Sequence, residues 1–519
     1  MTTSRRKLRG PPRRQRWYDR LPLLVATSTV PVGLMLLPAA YAVWAGDYDA
    51  GRPFLYGAVT FAVIIAFVGL SIWTMPQRNA ARSLLLSLVG TLTLVPVLLA
   101  LPVAEAVPGL SFRNAYLEMV SSITTTGATV FSLPGNVPDT VHLWRALVGW
   151  YGGFIFWVAS IAILAPLRLG GFEVVLTSAS MGRDGTLGRA ALSEFPMQRI
   201  WRFTRALAPI YGGLTLLCWL ALLVAGETPF MATCHAMSAL STSGISPVRT
   251  LADSNSGFWG ELVLFLFLFF ALSRGLFARD MPTPLGRRWY QDPELRMGLG
   301  FTLFVPIAMF AYHWLSLLDV TISGTPLNAF HGYWGGQFNT LSFLTTAGFI
   351  SADWETARNW SGLTTPGLIL MGLAMVGGGV ATSAGGVKLL RVYALARHSE
   401  FELARLVHPS LVANPGTRLR RFRPEAAYVA WLYFMIFALT VAGLMLTFSL
   451  AGSDFDTSLV LTVAGLTTTG PLTIVGGDAP ISLELLAPAV QLVMCVAMVL
   501  GRLETLALIA LLNPEFWRH

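Results

Sequence analysis

Thr124-Thr125-Thr126-Gly127-Ala128-Thr129 sits between two long apolar segments, and the chain carries three more stretches like it. They are Ser241-Thr242-Ser243-Gly244-Ile245-Ser246, Thr345-Thr346-Ala347-Gly348-Phe349-Ile350 and Thr467-Thr468-Thr469-Gly470-Pro471-Leu472. Aligned on Gly127, Gly244, Gly348 and Gly470, all four fit Ser/Thr-Thr-x-Gly, at intervals of 117, 104 and 122 residues. Polar, non-helical backbone at membrane depth is tolerated only where it is buried in protein or lines water. The four stretches therefore read as the walls of one ion selectivity filter. The pattern by itself is weak, since chance yields about one match in a chain this rich in Ser, Thr and Gly. A fifth match, Thr364-Thr365-Pro366-Gly367, opens an apolar run with no short helix ahead of it, and its context rejects it.

The surroundings supply that context. The chain has 519 residues, 54% hydrophobic and 12% charged, with a mean hydropathy of +0.61, which places it among polytopic membrane proteins. Apolar runs of roughly 20 residues, enough to cross a bilayer, begin near residues 23, 54, 83, 142, 206, 257, 297, 366, 426 and 484. The net charge of +9 is no sign of nucleic-acid binding. Arg5 to Arg16 precede the first run, and the other basic clusters follow the second, fourth, sixth and eighth, so by the positive-inside rule both termini are cytoplasmic. The opposite side carries Asp47, Asp49, Glu105, Asp139, Glu227, Asp353, Glu355, Asp454, Asp456 and Asp478. They read either as an acidic mouth that concentrates cations or as ordinary solvated loops. Cys218, Cys234 and Cys495 lie in apolar surroundings at unrelated spacings and read as packing residues. No metal-ligand spacing, nucleophile elbow or paired carboxylates point to an enzyme.

After a basic N-terminus (1–20) and an extra pair of spans (21–76), one unit recurs: span, short amphipathic stretch, Thr-Gly motif, span. The units cover 77–170, 171–280, 281–395 and 396–519, and the short stretches are 113–123, 229–240, 328–344 and 454–466. Each unit crosses twice, so all four share one orientation. Parallel copies suit a ring about an axis normal to the membrane, unlike inverted repeats. The fold expected is an all-α polytopic membrane protein, with four M1–pore loop–M2 repeats in pseudo-fourfold arrangement and two extra N-terminal helices. Glycine lets the backbone turn carbonyls toward the axis, where a ring of them replaces a cation's hydration shell. A short helix ending at each motif aims its negative dipole end at the same place. Oxygen ligation without a carboxylate ring favours a monovalent ion.

Two further segments stand out. Gly377-Gly378-Gly379-Val380-Ala381-Thr382-Ser383-Ala384-Gly385-Gly386-Val387-Lys388 puts five glycines into the eighth span. Each costs a helix about 1 kcal/mol relative to alanine, so the segment is either an unwound loop or a closely packed, kinked helix. Arg502 lies deep in the last span and either faces an interior cavity or snorkels to the cytoplasm. Glu504 is two residues away and does not share its helix face. Glu118, in the first short helix, reads as a structural acceptor, with cation attraction as the alternative.

SSITTTGATVF around Gly127, LTTAGF around Gly348, TTTGP around Gly470 and GRLETLALIALLNPEFWR from Gly501 resemble the Trk/Ktr/HKT superfamily of potassium transporters. The match spans about 77 to 519, and the extra N-terminal pair favours the bacterial Trk branch. The resemblance implies potassium uptake through a gated, channel-like pore in the bacterial inner membrane, with a proton- or sodium-coupled symporter as the alternative. It implies filter ligands on Thr125, Thr126 and Gly127; Thr242, Ser243 and Gly244; Thr346, Ala347 and Gly348; and Thr468, Thr469 and Gly470. Gly127, where sodium-admitting members often carry serine, argues for potassium. The second loop departs from the family's usual STGGFS at Ser243 and Ile245. The resemblance also implies an intramembrane gate at Gly377, Gly378, Gly379, Thr382, Ser383, Gly385 and Gly386, with Arg502 as a cation barrier that helps hold it closed. A homodimer, surrounding membrane lipid and a cytosolic nucleotide-binding (RCK-type) regulatory subunit follow too. The potassium ion is cargo, and no dinucleotide fingerprint or other organic cofactor site occurs in this chain.

Overall fold

A computed structural model describes residues 23–72, 80–165, 196–276, 292–316, 326–363, 365–407 and 424–503. Most of the basic segments used for sidedness, together with Thr364 and Glu504, lie outside the described residues. Within those residues every regular element is helical. The N-terminal pair consists of α1 (Leu23–Leu34) with α2 (Leu36–Ala45), which share one bent span, and α3 (Tyr48–Ile72). The first repeat follows with α4 (Ala80–Thr93), α5 (Val95–Ala106), α6 (Phe112–Ile123) and α7 (Asp139–Ala159). The second holds α8 (Pro196–Val224), α9 (Pro229–Ser241) and α10 (Gly257–Leu268). The third has α11 (Pro293–Ser316), α12 (Pro326–Leu344), α13 (Trp354–Ser361), α14 (Gly367–Val376) and α15 (Leu389–Val407). The fourth has α16 (Pro424–Leu450), α17 (Phe455–Leu466), α18 (Leu472–Val475) and α19 (Pro488–Leu503).

Among the described residues seven helical stretches are long and apolar enough to cross a membrane, where the sequence pattern anticipates ten. The other three, Gly257–Ala271, Gly367–Val376 and Pro488–Leu503, are the second helices of repeats two to four and are shorter. For α14 the cause is local: Gly377 takes φ +75° and ends the helix where the glycine-rich segment begins.

The short helices α6, α9, α12 and α17 are the pore helices. Three have a side-chain N-cap, with Ser111, Thr228 and Asp454 accepting from the N–H groups of Asn114, Met231 and Thr457. Such a cap satisfies a donor that a helix start otherwise leaves orphaned. Each pore helix packs on both spans of its own repeat. It also packs on the second span of the preceding repeat: α9 on α7, α12 on α10, α17 on α14 and α6 on α19. The last of these contacts joins the fourth repeat back to the first. Four units with one set of neighbours and a closed sequence of contacts make a ring about an axis, and the two extra spans pack outside it against α5 and α7. Polar bonds cross two of the seams, Gln491 to Asn114 between α19 and α6 (3.2 Å), and Trp334 to Glu261 between α12 and α10 (2.7 Å).

Candidate functional site

All four pore helices end in the same way. The N–H of the second threonine reaches back three residues: Thr125 to Ser122, Thr242 to Ala239, Thr346 to Phe343 and Thr468 to Gly465. The next N–H reaches back five: Thr126 to Ser121, Ser243 to Ser238, Ala347 to Ser342 and Thr469 to Ala464. This bond pair is a Schellman cap, which requires a left-handed residue at its corner. That residue is normally glycine, yet here it is a threonine with φ +54°, +49°, +56° or +52°. A β-branched residue in this region is a true outlier, costing about 1–3 kcal/mol, and such strain clusters at functional sites. Four copies at equivalent positions mark it as a constructed feature.

The glycines close the ring. A methyl group built on Gly127 would lie 1.9 Å from the Ser243 carbonyl oxygen, and one on Gly244 would lie 2.1 Å from that of Ala347. On Gly348 it would meet the Pro471 ring at 2.8 Å, and on Gly470 the Ala128 nitrogen at 2.0 Å. Each loop thus touches the next, and the fourth touches the first. The second loop, despite Ser243 and Ile245, keeps the cap and a positive φ at Gly244. Ser243 even supplies a hydroxyl that bonds Ser241 (3.0 Å), as Thr126 bonds Thr124 and Thr469 bonds Thr467. The larger departure is in the fourth loop. Gly470 is absent from the positive-φ glycines, its N–H donates to the Thr126 carbonyl at 2.6 Å, and Pro471 starts the short helix α18.

The hydroxyls divide by position. The first of each motif (Thr124, Ser241, Thr345 and Thr467) donates back to its own pore helix. The second is different. The Oγ1 atoms of Thr125, Thr242 and Thr468 are buried with no hydrogen-bond partner among the described residues, a condition that ordinarily costs about 1–3 kcal/mol. The fourth, Thr346 Oγ1, accepts from the Gly385 N–H at 2.7 Å. Three bare oxygens at one level of the ring, each at the negative end of a pore helix, are suited to a partly dehydrated cation.

Buried polar side chains hold the arm that follows the glycine in three loops. Glu118 accepts from Thr129 Oγ1 (3.2 Å) and the Val130 N–H (2.8 Å), and its other oxygen pairs with Arg145 Nε at 2.5 Å. His235 bonds Ser246 Oγ at 2.9 Å. Asn339 accepts from the Ser351 N–H, while Glu261 of the neighbouring repeat accepts from Ser351 Oγ and the Ala352 N–H. Glu118, His235 and Asn339 each stand nine residues before the glycine of their motif, and the fourth such position is Leu461. That register was available in the sequence as a signal, once the motifs were aligned. Arg145, Glu261, Glu294 and Lys388 had a different signal, a charge inside an apolar run, but nothing in the pattern named their partners.

The glycine-rich segment is unwound. Helix α14 ends at Val376, α15 starts at Leu389, and left-handed residues (Gly377, Ala381, Gly386 and Lys388) turn the chain between them. The loop folds back on itself, with Leu389 N–H donating to Gly378 and Lys388 N–H to Val376, and Gly386 lies against Gly377. Gly379 N–H donates to Ala271 O, and Thr382 Oγ1 to Gly379 O. Val380 N–H donates to Glu294 at 2.8 Å, and Ser383 Oγ to Leu240 O at 3.3 Å. Gly385 packs so closely on the fourth loop that a methyl there would lie 2.1 Å from Thr467 O. Arg502 is only 2% exposed; it donates to Ser383 O at 2.5 Å and lies 4.0 Å from the Phe156 ring. It does not snorkel. Lys388 Nζ donates to Ala384 O inside the same cluster.

On the face of the ring away from the glycine-rich segment the four loops line a cavity of about 70 Å³, with Gly127, Gly244, Gly348 and Pro471 among its walls. None of the acidic residues counted on that side lines it, and its charged walls are Arg145 and Arg249. Of the two readings of those acids, the lining of this cavity favours ordinary solvated loops, and several of the carboxylates are engaged in other contacts. Glu227, for example, is disfavoured as an anion by burial, but the hydroxyls of Ser254 and Ser256 outweigh this and hold its carboxyl below the usual range.

A closed ring of four capped pore loops in a helical membrane protein defines a pore-loop cation transporter. The sequence profile of the TrkH family, described as a cation transport protein, matches residues 299–517. The chain is 30% identical to the Trk system potassium uptake protein TrkI of Halomonas elongata, over 97% of this chain and 98% of that one. It is 29% identical to the Trk system potassium uptake protein TrkH of Vibrio parahaemolyticus, over 96% of this chain and 98% of that one. The crystal structure of the potassium transporter TrkH from Vibrio parahaemolyticus matches with a TM-score of 0.78 at 25% identity, covering 97% of this chain and 100% of the other. This chain belongs to the TrkH family of cation transport proteins, and is a multi-pass membrane transporter, not an enzyme.

Proposed function

We propose that this chain takes up potassium across the bacterial inner membrane through a gated, channel-like filter, with both termini cytoplasmic. The observation that carries the reading is the fourfold left-handed threonine, with three of its four hydroxyls lacking a hydrogen-bond partner among the described residues. A dehydrating ion meets backbone carbonyls from each loop and, at the inner level, the oxygens of Thr125, Thr242 and Thr468. Pore-helix dipoles favour a cation there, and the lack of a carboxylate ring favours a monovalent one. The relatives' names as potassium uptake proteins support potassium as cargo. Below the filter, Gly377 to Gly386 with Arg502 form the gate: the loop blocks the path and the guanidinium opposes a passing cation. The word "system" in those names supports a separate regulatory component, which we take to be a cytosolic nucleotide-binding subunit acting on a homodimer.

Ion flux into liposomes under potassium, rubidium, sodium and lithium tests the filter. Gly127→Ser is expected to admit more sodium, and an unchanged ion preference in that variant overturns the assignment. Reversal potentials that follow the potassium gradient alone support a pore, whereas a shift with pH or sodium means coupled symport.

A further inference from the structure

The mouth of a cation path is usually thought of as acidic, and here the wall charges have the opposite sign. Of the two arginines in the outer cavity, Arg145 is compensated by Glu118 in a buried ion pair. Arg249 is not. It is exposed, and no carboxylate lies within 4.0 Å of it among the described residues. Its backbone is fixed on the wall where repeats two and three meet. Val248 N–H donates to Ser246 Oγ at 3.1 Å, and Leu251 N–H donates to the Ile350 carbonyl at 3.0 Å. A narrow cavity with low-dielectric walls focuses such a charge onto whatever occupies it.

We infer that Arg249 is an electrostatic throttle at the outer mouth, lowering the local concentration of every monovalent cation before the filter chooses among them. The inference rests on the pore reading above and adds a rate-setting residue to it. Two unit charges about 8 Å apart, at an effective dielectric between about 40 and 80, repel enough to change local occupancy about two- to sixfold. The effect acts on entry, so it belongs in the apparent KM and not in the maximal flux. Because it works through space and not by ligation, it treats potassium, rubidium and sodium alike. It is also screened, since the Debye length falls from about 30 Å at 0.01 M to about 3 Å at 1 M.

The test is potassium uptake by the full-length protein in liposomes, with ionic strength set by a bulky impermeant cation. Arg249→Gln is expected to lower the apparent KM about two- to sixfold at low ionic strength, Arg249→Glu to lower it further, and Arg249→Lys to leave it in place. All three should converge near 1 M. In Arg249→Cys, a cationic thiol reagent added outside should restore the wild-type KM and an anionic one should lower it. The native Cys218, Cys234 and Cys495 are buried, which keeps that reaction at the introduced thiol. A KM in Arg249→Gln and Arg249→Glu equal to wild type at low ionic strength overturns the throttle. So does a changed potassium-to-sodium ratio in these variants, which would mean contact with the filter. Failure of the pore reading shows separately, as an ion preference that Gly127→Ser leaves untouched.

Discussion

Thr346→Val isolates the motif hydroxyl that accepts from the glycine-rich loop, the proposed gate. Valine keeps the size and β-branching of threonine, so the left-handed corner at φ +56° and its packing persist. What disappears is the acceptor for the Gly385 N–H, a bond of 2.7 Å between buried groups. The loop cannot shift to find another partner cheaply, because Gly385 is wedged against Thr467 O and Thr468 Oγ1. A buried donor left unsatisfied costs about 1–3 kcal/mol. That penalty falls only on the seated loop, so the closed state should be depopulated about 5- to 150-fold. Single-channel recording in planar bilayers reads this as open probability, with unitary conductance as the internal control. Thr125→Val and Thr242→Val are the comparison, because their hydroxyls make no hydrogen bond among the described residues. They should alter conductance or ion preference and leave the closed fraction alone. An unchanged open probability in Thr346→Val refutes the reasoning. An equal rise in Thr125→Val does too, for it would place the effect in the filter itself.

Arg502→Ala removes a charged donor to Ser383 O, worth about 1.5–3 kcal/mol. Basal potassium flux should rise about 10- to 150-fold, measured by flux before any regulator is added. Gly385→Ala puts a methyl 2.1 Å from Thr467 O, so the loop cannot seat. Leak without loss of folded protein is expected, seen as flux alongside an unchanged size-exclusion profile. Arg145→Met leaves Glu118 buried without its counter-charge, a break worth about 3–5 kcal/mol. Its melting temperature in detergent should fall sharply, and Glu118→Gln with Arg145→Met should recover much of the loss.

The four loops were legible because their signal is local. A helix too short to cross and a polar turn ending in glycine are matters of a dozen residues, and they recur, whereas the left-handed threonine was not read from the sequence. The unwinding at Gly377 was half legible: glycine content set a kinked helix against a loop, and bonds to Ala271, Glu294, Leu240 and Thr346 decided for the loop. The two readings of the acidic residues stayed open in the sequence, since counting acids on one side of a membrane does not say which of them reach the axis.

What the sequence determined by itself is the repeated unit, its shared orientation and the chemistry of its turns, because backbone propensity and membrane depth act along the chain. Only the tertiary structure decided which hydroxyls lack a hydrogen bond among the described residues and which one the glycine-rich loop borrows. It also decided that α19 returns to α6 to close the ring, and that Arg145 is neutralised while Arg249 is not. Those are questions of which groups far apart in sequence come within 3 or 4 Å, and the energy of a buried polar group depends on that neighbour.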